Sequence, residues 1–443
     1  MKAPRRTAGE TSRRGFLKVS AITTGGALIA NLDIARVAHA AGSDEVKIGL
    51  VGCGGRGTGA AANSLGNATH AGMRLVAMGD AFRDRLDVSH ASLSKQFGPK
   101  VDVSEGKKFV GLDAFQGVME TDADAVLLTT PPGFRPMMFE AAVKAGKHVF
   151  MEKPVAVDAP GYRRVLAANE EAKKRGLMVA VGHHLRHAVN HREVIRQIHD
   201  GLIGELQYTR AYFNTAGIWN RSRKDGMTEM EYQVHNWYHF VWLSGDHIVE
   251  QHVHGIDVCN WFAQGHPVEA IGMGGRQVRA EKGIGEIFDH HAVQFTYANG
   301  ARSFSECRQI PGCWPSFTHH AHGTKGIVSF EGGNDNVTIH LNGKEPQRIK
   351  GGGDGHQYEW DHLLAAWRAH QPYNEAGWAA DSTMTAILGR MATYSGKLVT
   401  WGDAVKSELS GFPTRLAWDA EPKSRPGPDG VYPCAIPGVT KAV

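Results

Sequence analysis

Cysteine is scarce in this chain: five residues among 443, scattered, with none in a C-x-x-C pair. That leaves no disulfide framework and no thiolate zinc motif. An oxidising compartment would still permit a single bridge such as Cys307–Cys313. An excess of one charge is equally lacking. The formal net charge is +4, and part of it comes from a basic N-terminus. With no long basic run and no aromatic–basic alternation, a nucleic-acid surface is excluded. No stretch approaches the ~20 apolar residues that a membrane span needs. There is no internal repeat and no H-E-x-x-H. The chain is instead rich in glycine, 54 residues, and in histidine, 24.

Residues 1–40 read as an export signal. Ser12-Arg13-Arg14-Gly15-Phe16-Leu17-Lys18 is a twin-arginine pattern, a weakly apolar stretch follows, and Ala38-His39-Ala40 is an A-x-A cleavage site. The expected destination is the periplasm or another exported location, with the twin-arginine machinery as a passing partner. The remainder is long enough for two domains with sizeable cores.

The mature part opens with a strand, a turn and a helix. Glu45 to Val51 is apolar and extended, and Gly52-Cys53-Gly54-Gly55-Arg56-Gly57 then makes a G-x-G-x-x-G. Glycine is needed there because the backbone must turn tightly and approach a pyrophosphate. A second apolar strand, from Met73, ends at Asp80. An acid at that place accepts both ribose hydroxyls of an adenosine, which favours NAD as the cofactor. Arg83 nearby is the feature that could instead hold a 2′-phosphate. Further strands end at Thr130-Pro131-Pro132 and at Glu152-Lys153-Pro154. Strands alternating with helices predict a doubly wound parallel sheet, whose ligands lie at the strands' carboxyl ends. The expected layout is a dinucleotide-binding domain over 44–165, a second domain over 166–410 and an extended arm over 411–443.

"VGCGGRG", "TTPPGFR" and "MEKPVA", in this order, resemble the glucose-fructose oxidoreductase / inositol dehydrogenase family (Gfo/Idh/MocA). "GLIGELQYTRAYF", "GTKGIVSF" and "STMTAILGRMATYSGKLVTW" agree, so the resemblance covers nearly the whole mature chain. It implies an α/β protein whose second domain is an α+β unit with a mostly antiparallel open sheet. That sheet commonly meets another subunit, which implies a homo-oligomer, a dimer or tetramer. Lys153 matches the lysine that stabilises a developing alkoxide beside the nicotinamide. His254 matches the family's general base, with Asp257, a substrate-binding candidate, behind it in H-x-x-D. Where the family usually reads D-x-G-x-H, this chain reads Glu250-Gln251-His252-Val253-His254. Glu250 is then an orienting or substrate-binding carboxylate, and His252 a bulky residue that reshapes the pocket. On a helix, 250, 254 and 257 share a face; on an extended chain 250, 252 and 254 do. The spacing leaves both open.

The segment from Glu231 to Glu250 is rich in His, Trp and Tyr. Tyr238 there, with His184 and Arg186 from "VGHHLRH", fits a carbohydrate site, where sugar faces stack and hydroxyls bind polar tips. The same segment also has the spacing of an amphipathic core helix. A metal held by His252 and His254 with His247 or Glu250 is the rival reading, and hydride chemistry needs none. An exported nicotinamide enzyme must keep its cofactor and restore its oxidation state in each cycle. Coupled oxidation and reduction of two carbohydrates does this. So does a redox-neutral glycoside hydrolysis through oxidation, elimination, addition of water and reduction. A sugar-binding protein that keeps NAD without turnover is the third reading; Lys153 and His254 speak against it.

Overall fold

The computed structural model describes residues 45–67, 72–279, 281–331 and 335–443. The twin-arginine pattern and the A-x-A site lie outside them. Lys47–Val443 form one compact unit built on two sheets.

The first sheet is six-stranded: β1 (Val46–Val51), β2 (Met73–Asp80), β3 (Lys108–Val110), β4 (Ala125–Leu128), β5 (His148–Met151) and β6 (Val179–Val181), in the order β3-β2-β1-β4-β5-β6. β4 is buried throughout. Strands covered on both faces lose polar alternation, and this parallel sheet is such a case. The strand order reverses between β1 and β4, where a crevice opens at the carboxyl ends. The turn after β1 needs glycine twice. Gly52 has φ +98°, and a Cβ on Gly57 would lie 1.9 Å from the Gly52 carbonyl oxygen. The helix Gly55–Leu65 then begins at the crevice.

This sheet runs past residue 165, where the sequence suggests a boundary. The helix Ala159–Lys174 leads back to β6, its last strand. A strand of 3 residues is too short to declare which sheet it joins.

The second sheet has nine strands: β7 (Leu206–Thr215), β8 (Pro267–Gly275), β9 (His290–Tyr297), β10 (Arg302–Gln309), β11 (Ser316–Gly323), β12 (Gly326–Glu331), β13 (Asn336–Leu341), β14 (Gln347–Ile349) and β15 (Val399–Thr400). The order is β14-β13-β12-β11-β7-β10-β9-β8-β15. β7 and β10 pair in parallel, and their other partners run antiparallel. β10 alternates exposed and buried residues, the signature of a sheet with one covered face. The helices Val253–Ala263 and Ala376–Ser395 cover that face. The second of these also lies against Ala159–Lys174, and Thr383 Oγ1 accepts the Val155 amide at 3.2 Å. It joins the two halves.

The aromatic segment before Glu250 is not one amphipathic helix. It breaks into Glu229–His235, a 3-10 turn Trp237–His239, and short helices Val241–Ser244 and His247–Glu250. Phe240 is extended, with φ −120° and ψ 126°, and Gly245 and Asp246 have φ 78° and 72°. A positive φ at an aspartate needs compensation. Here the Asp246 carboxylate accepts the His247 and Phe288 amides at 2.5 and 2.9 Å and the Tyr394 hydroxyl at 2.5 Å. The breaks let Tyr238, Phe240 and Trp242 all enter the core.

All five cysteines are free; Cys307 is buried and Cys313 exposed, so the possible bridge between them is not formed. Among the described residues no helix is long and apolar enough to cross a membrane. Residues 411–443 carry neither helix nor strand.

Candidate active site

The crevice at the end of β1 is a cleft of about 380 Å³. Gly52, Gly54, Gly55, Arg56 and Gly57 line it, with Asp80 from the end of β2 and Thr130 and Pro131 from beyond β4. Gly54 and Gly55 have nothing within 4 Å of where a Cβ would stand, so the start of the helix Gly55–Leu65 presents bare backbone. Bare amides at a helix N-terminus suit a phosphate. The Asp80 carboxylate accepts the Cys53 amide at 2.6 Å and the Phe82 amide at 2.9 Å. Burial pushes this carboxyl up from its ordinary value, and the two amides offset part of the shift. Arg83 turns away toward Asp87, 3.7 Å, and Glu105, 4.0 Å. The residues present therefore fit a dinucleotide with free ribose hydroxyls.

A second cavity, about 230 Å³, continues from the first. The two share Arg56, Thr129, Thr130 and Trp237 as walls. Pro132, Arg135, Glu152, Lys153, Gly182, Glu250, His254 and His356 complete it. Glu152 and Lys153 stand just past β5. Arg56 Nε lies 3.1 Å from Glu152 Oε1. Lys153 Nζ donates to the Glu250 carbonyl at 2.7 Å and to Glu250 Oε1 at 3.2 Å. Glu250 ends the helix His247–Glu250, and His254 lies in the first turn of Val253–Ala263. The chain between them is helical with a kink. Glu250 and His254 accordingly face the same cavity, as the helical alternative requires.

His254 Nδ1 is buried without a hydrogen-bond partner. Its ring meets His184 edge-on at 4.7 Å, and His184 stacks on His356 at 4.0 Å and 10°. Burial first, then the Lys153 ammonium and the neighbouring His184 and His183 imidazoles, hold the His254 pKa well below its ordinary value. His184 is depressed in the same way, by burial and then by His356 and Lys153. The imidazoles are neutral at neutral pH, and His254 is free to accept a proton.

Several residues expected at the substrate lie elsewhere. His252 does not shape the pocket: it is fully buried and shares a hydrogen bond of 2.7 Å with Ser305 on β10. Burial lowers its pKa to about 3. The helical turn that brings His254 to the cavity sends His252 into the sheet. Asp257 is buried and held by Arg186, whose Nε and Nη2 each donate at 2.9 Å, and by the Ser382 hydroxyl at 2.7 Å. Arg186 lies on the Trp378 ring at 4.0 Å. Asp257 and Arg186 thus satisfy each other behind the site. Tyr238 is a core residue whose hydroxyl accepts from Gln309 at 3.0 Å. His184 reaches the site through its contacts with His254 and His356. The rival metal set is not assembled, since His252 and His254 point to opposite sides. Among the described residues a carboxylate and two imidazoles do cluster, at Asp246, His247 and His291. There the carboxylate already accepts two amides and a tyrosine hydroxyl, and it serves as a structural hub.

His356 escaped the sequence reading. It opens the helix Gly355–Arg368, capped by Asp354, and no motif surrounds it. Asn63 of the first helix donates to Gln357 at 3.2 Å, which fixes that helix end over the site.

Fold and site together define an oxidoreductase that uses a nicotinamide dinucleotide. Residues 46–183 match the oxidoreductase family profile with an NAD-binding Rossmann fold, and residues 191–329 match the C-terminal domain of the same family. The chain belongs to the Gfo/Idh/MocA family. It is 27% identical over 271 residues to the inositol 2-dehydrogenase of Rubrobacter xylanophilus, which spans 61% of this chain and 67% of that protein. It is 25% identical over 242 residues to a glycosyl hydrolase family 109 protein of Shewanella baltica, 51% of this chain and 49% of that one. The aldose-aldose oxidoreductase of Caulobacter crescentus, solved with glycerol, shares the fold: TM-score 0.65 at 18% identity, covering 80% of this chain and 99% of that one.

Proposed function

We propose that this protein oxidises a hydroxyl of a sugar, cyclitol or glycoside, and that it works outside the cytoplasm with NAD held tightly. One observation carries the reading. Lys153, Glu250 and the unpartnered His254 face a single cavity continuous with the dinucleotide cleft.

Bound NAD supplies a hydride acceptor. The protein residues supply the rest. Lys153 places an ammonium where an alkoxide develops, which lowers the barrier most when the charge is greatest. Glu250 fixes that ammonium through its carbonyl and carboxylate. His254 takes the hydroxyl proton, since its neutral ring has a free nitrogen. Trp237 offers an apolar wall for a sugar face, and the hydroxyls find Glu250 and His356.

Redox-neutral glycoside hydrolysis is the second reading. Elimination and addition need a further proton carrier beside the base, and His356 with His184 stands in that place. The similarity to the Shewanella baltica protein favours it as well. The signal pattern in residues 1–40 supports export by the twin-arginine route. A homo-oligomer, dimer or tetramer, is favoured by Ile271, Met273 and Phe304, all exposed on the uncovered face of the second sheet.

The decisive experiment is mass spectrometry of the supernatant of denatured protein purified from the periplasm. About one NAD per chain is expected. A glycoside and polyol screen should then follow ketone formation and aglycone release together. Ketone alone establishes the oxidoreductase and aglycone release the hydrolase. Neither product, from protein that holds NAD, would sink both readings.

A further inference from the structure

Arg85 and Arg221 line the dinucleotide cleft from opposite halves of the chain. Among the described residues neither makes an ion pair. Arg221 is held firmly. Its amide donates to Asn236 Oδ1 at 2.8 Å, and its carbonyl accepts from Asn236 Nδ2 at 2.8 Å. Nη1 donates to the His235 carbonyl at 2.7 Å, and the guanidinium lies 3.7 Å over the Trp219 ring. Trp219 is fixed in turn, since His239 Nε2 bonds its carbonyl at 2.8 Å. So a cation is built into the wall opposite the glycine-rich turn, with most of its N–H groups unspent. Burial and the positive charge of Arg85 both press its pKa down. Arg85 already feels the Asp80 carboxylate, whereas Arg221 has only a like charge near it, and a cation so placed at a cleft calls for an anion.

The cleft receives a dinucleotide, and the anion there is phosphate. We propose that Arg221 closes on the pyrophosphate of bound NAD from the second half of the chain while Arg85 stands on the half that carries the glycine turn, so that the cofactor bridges both halves of the protein. The wall that carries Arg221 includes Trp219, Val234, His235 and Trp237. It is braced from outside. His235 packs on Phe82 at 5.6 Å, and Trp418 packs on the same ring at 5.5 Å. The Thr228 hydroxyl donates to the Trp418 carbonyl at 2.7 Å, and Gln233 to the Ser424 carbonyl at 2.8 Å. Cofactor release requires this braced wall to lift. Asp80 sets the ribose apart from the arginines' anion, since a 2′-phosphate beside its carboxylate would be repelled. The inference rests on NAD binding and deepens the reading of tight retention.

Full-length protein carrying Arg221→Ala, Arg221→Lys or Arg85→Ala tests it. The readout is the dissociation rate of NADH, followed by loss of its bound fluorescence on mixing with excess NAD. Arg221→Ala should release NADH roughly ten- to a hundredfold faster, the scale of a charge-assisted hydrogen bond. Arg221→Lys should fall between, because an ammonium lacks the two-pronged fork. Release from the parent should accelerate with salt, and the arginine variants should show a flatter dependence. Arg85→Ala keeps the test open if Arg221→Ala misfolds. Unchanged release rates in folded variants would overturn the clamp. So would lower melting of both loaded and stripped protein with no change in release, which marks a packing role. Recovery of NADP instead of NAD would move the arginines to a 2′-phosphate and overturn the pyrophosphate assignment. A parent that purifies without cofactor defeats tight retention alone. The clamp then stands or falls on whether the variants weaken NADH binding.

Discussion

Replacing Glu250 by glutamine keeps the shape of the side chain and removes its charge. Lys153 Nζ lies 3.2 Å from Glu250 Oε1, and the two side chains are only 12% and 13% exposed. Unit charges at that separation attract by about 5 kcal/mol at an effective dielectric of about 20, and by about 1 kcal/mol in water. The pair borders a cavity, so its coupling falls between these limits. The Glu250 carbonyl, 2.7 Å from the same nitrogen, survives the change. The ammonium keeps one anchor and loses the other. Every ~1.4 kcal/mol is tenfold in rate. Glu250→Gln should therefore slow hydride transfer by about fivefold or more, up to the loss that Lys153→Met itself brings. The assay is a single turnover of bound NAD, followed by the near-ultraviolet absorbance of the reduced nicotinamide. Lys153→Met alone should cost about a hundredfold or more. The double variant should be hardly slower than Lys153→Met, because the carboxylate acts through the ammonium. Losses that multiply would show two independent residues and refute the pair as one unit.

His254→Ala should lower turnover by about 10²–10⁴-fold, with partial recovery at high pH as the substrate hydroxyl ionises unaided. Because the folded imidazole titrates well below its ordinary value, kcat/KM of the parent should stay flat as pH falls through about 6.5; an acidic limb centred there would refute the depressed imidazole while leaving a histidine as the base. His252→Gly should behave as a core truncation, lowering stability by about 2–5 kcal/mol in thermal melts and leaving substrate choice unchanged; altered sugar preference in a stable variant would return His252 to the pocket. Burial depresses His183 and His291 to about 4 and His252 to about 3. The unfolded chain takes up protons below about 6.5 while these native rings stay neutral, so stability should be fully present above that pH and decline steadily toward about 4. Melting temperatures flat across that interval would count against neutral buried histidines.

The glycine turn, Asp80 and the ends of β4 and β5 were legible because each is a local device. A G-x-G-x-x-G between strand and helix carries its own context, and Lys153 stands in a motif beside a strand end. The face shared by Glu250 and His254 was one of two open periodicities, and the kinked helix decides it. Asp257 and Arg186 misled for a different reason. Each is the right residue type at the right spacing, but they neutralise each other in the core, and pairing between residues 71 apart leaves no trace in sequence. Tyr238 followed helical spacing in a segment that breaks on either side of it, at Asn236 and Phe240. His356 and Arg221 reach the clefts from distant segments with no motif, so only the folded chain discloses them.

The brace formed by Trp418 and Ser424 has a consequence in time. The glycine turn is made early in synthesis, and a nascent chain could already present bare amides to a phosphate. Yet the wall over them leans on residues close to the C-terminus. Until the last few dozen residues leave the ribosome, the dinucleotide site is a groove open on one side. A cleft with both of its walls in place is therefore a property of the finished chain. A protein truncated before Trp418 would lack the brace on that wall.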